Sequence, residues 1–192
     1  SDFSNLSTDL YSGQQYTITI TPEWAGQIYD EGYAVWIDYN YDGDFDDSGE
    51  QVLMQSATQN TSVSGSFTVP DDIAFEESTR MRVSMKYNGI PTACESFDFG
   101  EVEDYTINLK YDGLLYIADT WIPNAPTGAT SADNVLVLNG IYNVNTDVAV
   151  NDLTVNPSAT TEIPETLSIF LNGDLLNNGD ITLNSVSDQY SS

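Results

Sequence analysis

The chain has 192 residues, 30 Asp and Glu against four Lys and Arg, no histidine, and a formal charge of -26 with a pI near 4.1. A chain this anionic is repelled from nucleic acid and from anionic lipid, and without histidine it can build no Ser-His-Asp triad, Cys-His dyad or His-ligated zinc site. Carboxylate chemistry remains: hard-cation binding, or an acid/base pair of the glycosidase type.

Hydrophobic residues make up 40% and aromatics 11%, enough apolar surface for a packed core. Cys94 is the one cysteine, so no disulfide forms within the chain; a lone Cys without histidine to activate it reads as a small buried hydrophobe. No stretch reaches the ~18 apolar residues of a membrane helix. The chain starts at Ser1 with neither Met nor a leader, as expected of a piece of a longer polypeptide.

In chain order, Tyr16 to Thr21, Tyr33 to Tyr39, Val63 to Val69, Met81 to Tyr87 and Val102 to Leu109 alternate in polarity and are bounded by turn residues. This predicts a small antiparallel β-sandwich over residues 1 to 110, which hold 20 of the acids and every base. Trp121 to Asn134 is rich in Pro, Gly, Ser and Thr, and residues 111 to 134 read as a connector. Residues 135 to 192 repeat a short aliphatic strand ending in Asn: LVLNG at 136 to 140, LTVNP at 153 to 157, IFLNG at 169 to 173 and ITLNS at 181 to 185. Steps of 17 and 16 residues from Asn139 to Asn156 to Asn172 predict the start of a β-solenoid, in which each coil stacks its aliphatics on the next and corner Asn residues pair. The expected fold class is all-β, a sandwich followed by the start of a β-solenoid or β-helix with further coils beyond it.

The segment from Asp38 to Glu50, DYNYDGDFDDSGE, holds six carboxylates in 13 residues. Its opening has the D-x-N-x-D-G spacing that converges side chains at positions one, three and five, with Gly43 at the sharp turn and the Asp44 carbonyl as a further oxygen. Two like charges ~4 Å apart repel by ~1 kcal/mol in water and ~4 kcal/mol at a protein-like dielectric, so a compact loop of this kind needs a cation. An all-oxygen donor set favours Ca²⁺. The twelfth position, where an EF-hand has its bidentate Glu, is Gly49, and the acid follows at Glu50. The loop also leaves a strand, so the expectation is a structural calcium site in a β-domain. The candidate ligands are Asp38, Asn40, Asp42, Asp44, Asp46 and Glu50, with Asp47, Glu101 and Glu103 as further acids. The bland alternative is a solvated acidic hairpin tip.

Glu101 and Glu103 lie in Gly100-Glu101-Val102-Glu103-Asp104-Tyr105, and parity puts them with Tyr105, Ile107 and Leu109. With no base on that face, either could complete the calcium shell or accept backbone N–H groups. Asp104 has the opposite parity, shared with Arg80, Arg82 and Lys86 across the sheet, and is the natural cross-strand partner of Arg82.

VWIDYNYDGDFDDSGEQV at 35 to 52, TRMRVSMKY at 79 to 87 and GEVEDYTI at 100 to 107 together resemble the GEVED domain of secreted Bacteroidetes proteins, with SDF at 1 to 3 similar to its N-terminal edge. The resemblance covers residues 1 to 110. It implies a β-sandwich accessory module found beside proteases, glycosidases and adhesins, with no catalysis of its own; the additional cysteines such domains often carry are missing. The later residues are similar to Asn-rich solenoid segments of Bacteroidetes surface proteins, often type IX secretion substrates. The expected function is a non-catalytic, calcium-stabilised module of a secreted or cell-surface protein, acting in adhesion or as a spacer. Its expected partners are surface glycans or other extracellular proteins, with no nucleic acid and no membrane insertion. The alternative is a carbohydrate-binding module whose Trp24, Trp36, Trp121 and tyrosines stack on sugars. A carboxylate-pair glycosidase is a third reading, with nothing in the sequence to point to a cleft.

Overall fold

A computed structural model describes residues 1–126 and 132–184. The chain divides into two compact units, Ser1–Tyr111 and Asp112–Ser192, and the described residues form strands and turns with no helix.

Unit 1 holds β1 (Asp2–Tyr11), β2 (Gln15–Ile20), β3 (Glu31–Ile37), β4 (Gln51–Thr58), β5 (Val63–Thr68), β6 (Ser78–Tyr87) and β7 (Gly100–Lys110). A five-stranded sheet has the order β1-β7-β6-β3-β4, and β2 pairs with β5 in a second sheet. Tyr33, Val35, Leu53 and Val63 form the core between them, joined by half-buried Ile18, Ile20, Met81, Val83 and Met85. The other face of the large sheet is covered in part by Phe45, which packs on Ala34 and Trp36. All seven residues of β3 are therefore buried, although its alternation alone marks only one buried face.

Two strands lie outside the expected runs. β1 has one buried residue, Leu10, among ten, and β4 buries Leu53, with exposed Met54 and Ser56 alternating with half-buried Gln55 and Ala57. The expected antiparallel sandwich is corrected in one pairing: β1 runs parallel to β7, while β3–β4, β3–β6, β6–β7 and β2–β5 are antiparallel. The chain between β1 and β7 makes a full circuit of both sheets, so the long crossover a parallel pair needs is supplied by strands. Cys94, expected to be buried, is exposed.

Unit 2 holds β8 (Leu114–Ile117), β9 (Thr120–Ile122), β10 (Val135–Val137), β11 (Gly140–Asn143), β12 (Val148–Val150), β13 (Leu153–Val155), β14 (Ala159–Ile163), β15 (Ile169–Leu171), β16 (Leu175–Asn177) and β17 (Asp180–Leu183). They stack in three parallel ladders, β8-β10-β13-β16, β11-β14-β17 and β12-β15, around a core that includes Val135, Val137, Val150, Leu153 and Val155. This is a solenoid of about three turns.

Its period differs from the expected one. Val135 pairs with Leu153 and Leu153 with Leu175, steps of 18 and 22 residues, and Val148 pairs with Ile169, a step of 21. The Asn-ended strands are not one repeating position: LVLN and LTVN share a ladder, IFLN belongs to the β12 ladder, and ITLN to the β11 ladder. Each of the three ladders contains a strand that runs into Asn, so that ending does not mark one position of the repeat. Corner pairing of Asn does occur, with Asn151 Nδ2 donating to Asn134 Oδ1 at 2.9 Å. The stretch expected to be a connector contains β8 and β9, so the stack starts at Leu114, before Val135. Residues 127–131 of that stretch, Ser185 of the fourth repeat and the rest of 185–192 lie outside the described residues.

Candidate metal centre

The acidic loop joins β3 to β4, so its ends are fixed by neighbouring strands 4.8 Å or so apart. Ile37 N donates to Glu50 O at 2.9 Å and Asp38 N to Arg80 O at 3.1 Å, which ties the base of the loop to β6. Phe45, 8% exposed in the middle of five aspartates, anchors the tip on Trp36, and the Arg82 guanidinium lies 5.4 Å from its ring centre.

Within this frame the aspartates turn the backbone. Asp42 N donates to Asn40 Oδ1, Asp44 N to Asp42 Oδ1 and Asp46 N to Asp44 Oδ1, at 2.9 to 3.1 Å. These are successive Asx turns, with Gly43 between them at φ 91°, a conformation costly for any residue with a Cβ. Asp38, 4% exposed, accepts Asp42 N and Gly43 N, one on each oxygen.

Carboxylate oxygens of Asp42, Asp44 and Asp47 lie within 4.8 Å of one another. Asn40 Nδ2 donates to Asp42 and Asp47 at 2.9 and 2.5 Å. Glu50 is 2% exposed, and its two oxygens accept Tyr39 N and Asp47 N at 3.1 and 3.2 Å. Burial pushes its carboxyl above the ordinary glutamate range; the two amides oppose this, and the charges of Asp38 and Asp47 add to it. The basic side chains form their ion pairs elsewhere: Arg80 and Arg82 with Asp104, Lys86 with Glu95, Lys110 with Glu76. An all-oxygen set of closely spaced carboxylates with no basic partner among those pairs fits a hard divalent cation.

Of the expected ligands, the fold brings Asn40, Asp42, Asp44 and Asp47 together, with Asp38 and Glu50 buried at the base of the same loop. Asp46 is exposed and outside the cluster. Glu101 and Glu103 are on the opposite face of the sheet. The cleft that Glu103 lines holds Met81 and Val83, whereas Asp104 lines a different one with Asp38, Asp42 and Arg80, and Tyr105 borders both.

The GEVED segment thus serves two faces. Asp104 accepts Arg82 Nε and an Nη at 2.7 Å each, the expected pair in bidentate form, and stands 3.6 Å from Arg80. Glu103 accepts the Tyr105 hydroxyl at 2.7 Å. Gly100 has φ 144°, and a Cβ there would meet Met85 O at 2.1 Å. The packing of Phe45 and the position of Asp104 beside the loop were not anticipated. A single large apolar residue inside an acidic run is the signal that could have found the anchor.

Residues 32–108 match the family model of the GEVED domain. The match runs from β3 to β7, includes the acidic loop and the GEVED strand, and leaves out β1, β2 and unit 2. No curated protein and no solved structure matches the chain.

Proposed function

We propose that unit 1 is a non-catalytic, calcium-stabilised accessory module of a secreted or cell-surface protein, acting in adhesion or as a spacer. The observation that carries the reading is the convergence of Asp42, Asp44 and Asp47 within 4.8 Å on a loop whose carboxylates form no ion pair with an arginine or lysine among the described residues. The GEVED match supports the accessory role, and GEVED domains belong to extracellular or surface proteins, where free calcium is plentiful. The carbohydrate-binding alternative finds less support: Trp36 is 3% exposed, and Trp121 is half-buried against Tyr116 and Tyr142.

An ion at about 100 times its dissociation constant adds about 2.7 kcal/mol to stability, a rise in melting temperature of roughly 10 °C for a domain of this size. Melting in EDTA and in excess calcium tests the reading. Calcium is expected to raise the midpoint, and Asp42→Ala to abolish the difference; identical melting with and without calcium in the unsubstituted chain would overturn it.

A further inference from the structure

The sheets of unit 1 are unequal in width, five strands against two, and part of the larger one has no strand above it. Beside β2 lies a cleft of about 340 Å³, walled by Ile18 and Ile20 and floored by Met81, Val83, Glu103 and Tyr105. It sits on the opposite face from the acidic loop and is independent of any metal there.

Three observations specify what fits. First, β2 pairs with β5 alone among the described residues, so alternate N–H and C=O groups along its other edge point toward the cleft. Strands pair ~4.8 Å apart, which puts a strand added to that edge over β7. Second, Met81, Val83 and Met85 are half-buried on this face, where burial of apolar surface would be gained. Third, the border is anionic. A contiguous cleft is lined by Glu23, Glu101 and Glu103, while Arg80, Arg82 and Lys86 have the opposite parity on β6. Glu103 accepts the Tyr105 hydroxyl through one oxygen, and Glu101 accepts the Ser1 hydroxyl through one.

We propose that this cleft binds an extended peptide segment of a partner protein as a third strand on β2. Its alternate apolar side chains sit on Met81, Val83 and Met85, and a Lys or Arg meets Glu101 and Glu103. A second copy of this chain does not fit, because each of its four basic side chains is in an ion pair and its net charge is -26. Strand addition draws affinity from main-chain hydrogen bonds and specificity from alternate side-chain sites, the two properties this cleft offers.

The test is an amide-shift titration of the full chain, ¹⁵N-labelled, with the capped octapeptide VTVTKTKT and its scrambled isomer KVVTTKTT. Expected are shift changes confined to Gln15–Ile20, Met81–Met85 and Glu101–Tyr105, with affinity for the alternating peptide about tenfold above that for the scramble. The double substitution Glu101→Gln, Glu103→Gln is expected to weaken the alternating peptide about fivefold with the rest of the spectrum and the calcium response unchanged. Equal affinity for the scramble, shifts centred elsewhere, no shifts at millimolar peptide, or a neutral oligosaccharide that moves these amides when the peptide does not, would each overturn the proposal.

Discussion

At Glu50, burial and the charges of Asp38 and Asp47 both oppose ionisation, while two backbone amides favour it. Its folded-state carboxyl titrates above the ordinary range because it is buried near Asp38 and Asp47, so in the calcium-free chain the native state binds this proton more tightly than the unfolded state does. Its contribution to stability is then fully present below the ordinary glutamate range, near pH 4.3, and is lost as pH rises through the raised value. A bound cation reverses the preference, because it needs the ionised form. In EDTA the native sequence is therefore expected to lose melting temperature as pH rises from 5 to 8, and Glu50→Gln, which cannot ionise but gives up one of the two backbone N–H acceptors, to flatten that slope. In calcium the native sequence is expected to gain stability over the same pH range and Glu50→Gln to gain less, and melting curves read both. Asp104 is a carboxylate shared by two arginines, and its loss would leave Arg82 partly buried without its bidentate partner. Asp104→Ala is expected to cost about 1–3 kcal/mol in urea unfolding, with or without calcium.

At the scale of strands and turns, backbone geometry makes sharper demands than side-chain type. Gly100→Ala would place a Cβ against the Met85 carbonyl, in a conformation that L residues rarely adopt, at the point where β7 joins β6. A loss of roughly 2–4 kcal/mol is expected in denaturant unfolding. The β8–β9 turn gives the converse: Ala118 and Asp119 both have positive φ, at 47° and 60°, which a two-residue hairpin turn requires. Ala118→Gly removes the steric cost and keeps the amide that donates to Asn139 Oδ1, so a gain of about 0.5–1 kcal/mol is expected by the same measurement. These elements also show where sequence reading succeeded. β2 and β5 are visible because one face is packed and the other wet, and β6 because its residue types alternate although both of its faces are partly covered. β1 is not, since its place depends on pairing with a strand about 100 residues later, and ten residues with one buried side chain carry no period. The acidic loop was legible because Asx turns are local and encoded by spacing. That Glu101 and Glu103 belong to the other face was not, because it depends on which side Phe45 carries the loop to.

At the scale of the whole chain, the acids set the terms. Residues 1–111 carry 20 acids and four bases, and residues 112–192 carry ten acids and no base, so neither unit can neutralise itself. Repulsion among exposed charges is screened over ~8 Å at physiological salt. In EDTA, sodium chloride from 10 to about 300 mM is therefore expected to raise the melting temperature of both units, whereas calcium should act on the unit that contains the acidic loop. Amide hydrogen exchange separates the two effects, with calcium-dependent protection expected in residues 1–111 alone.

The parallel pairing of β1 with β7 has a mechanical consequence. Force applied between Ser1 and Tyr111 pulls on the start of one strand and the end of its parallel neighbour, so the ladder from Asp2–Asp104 to Tyr11–Lys110 is strained in shear. Its hydrogen bonds must then fail together, where an antiparallel pair pulled from one end would unzip bond by bond. A tethered chain under flow would find in this pair a clamp that holds the unit folded while it is stretched.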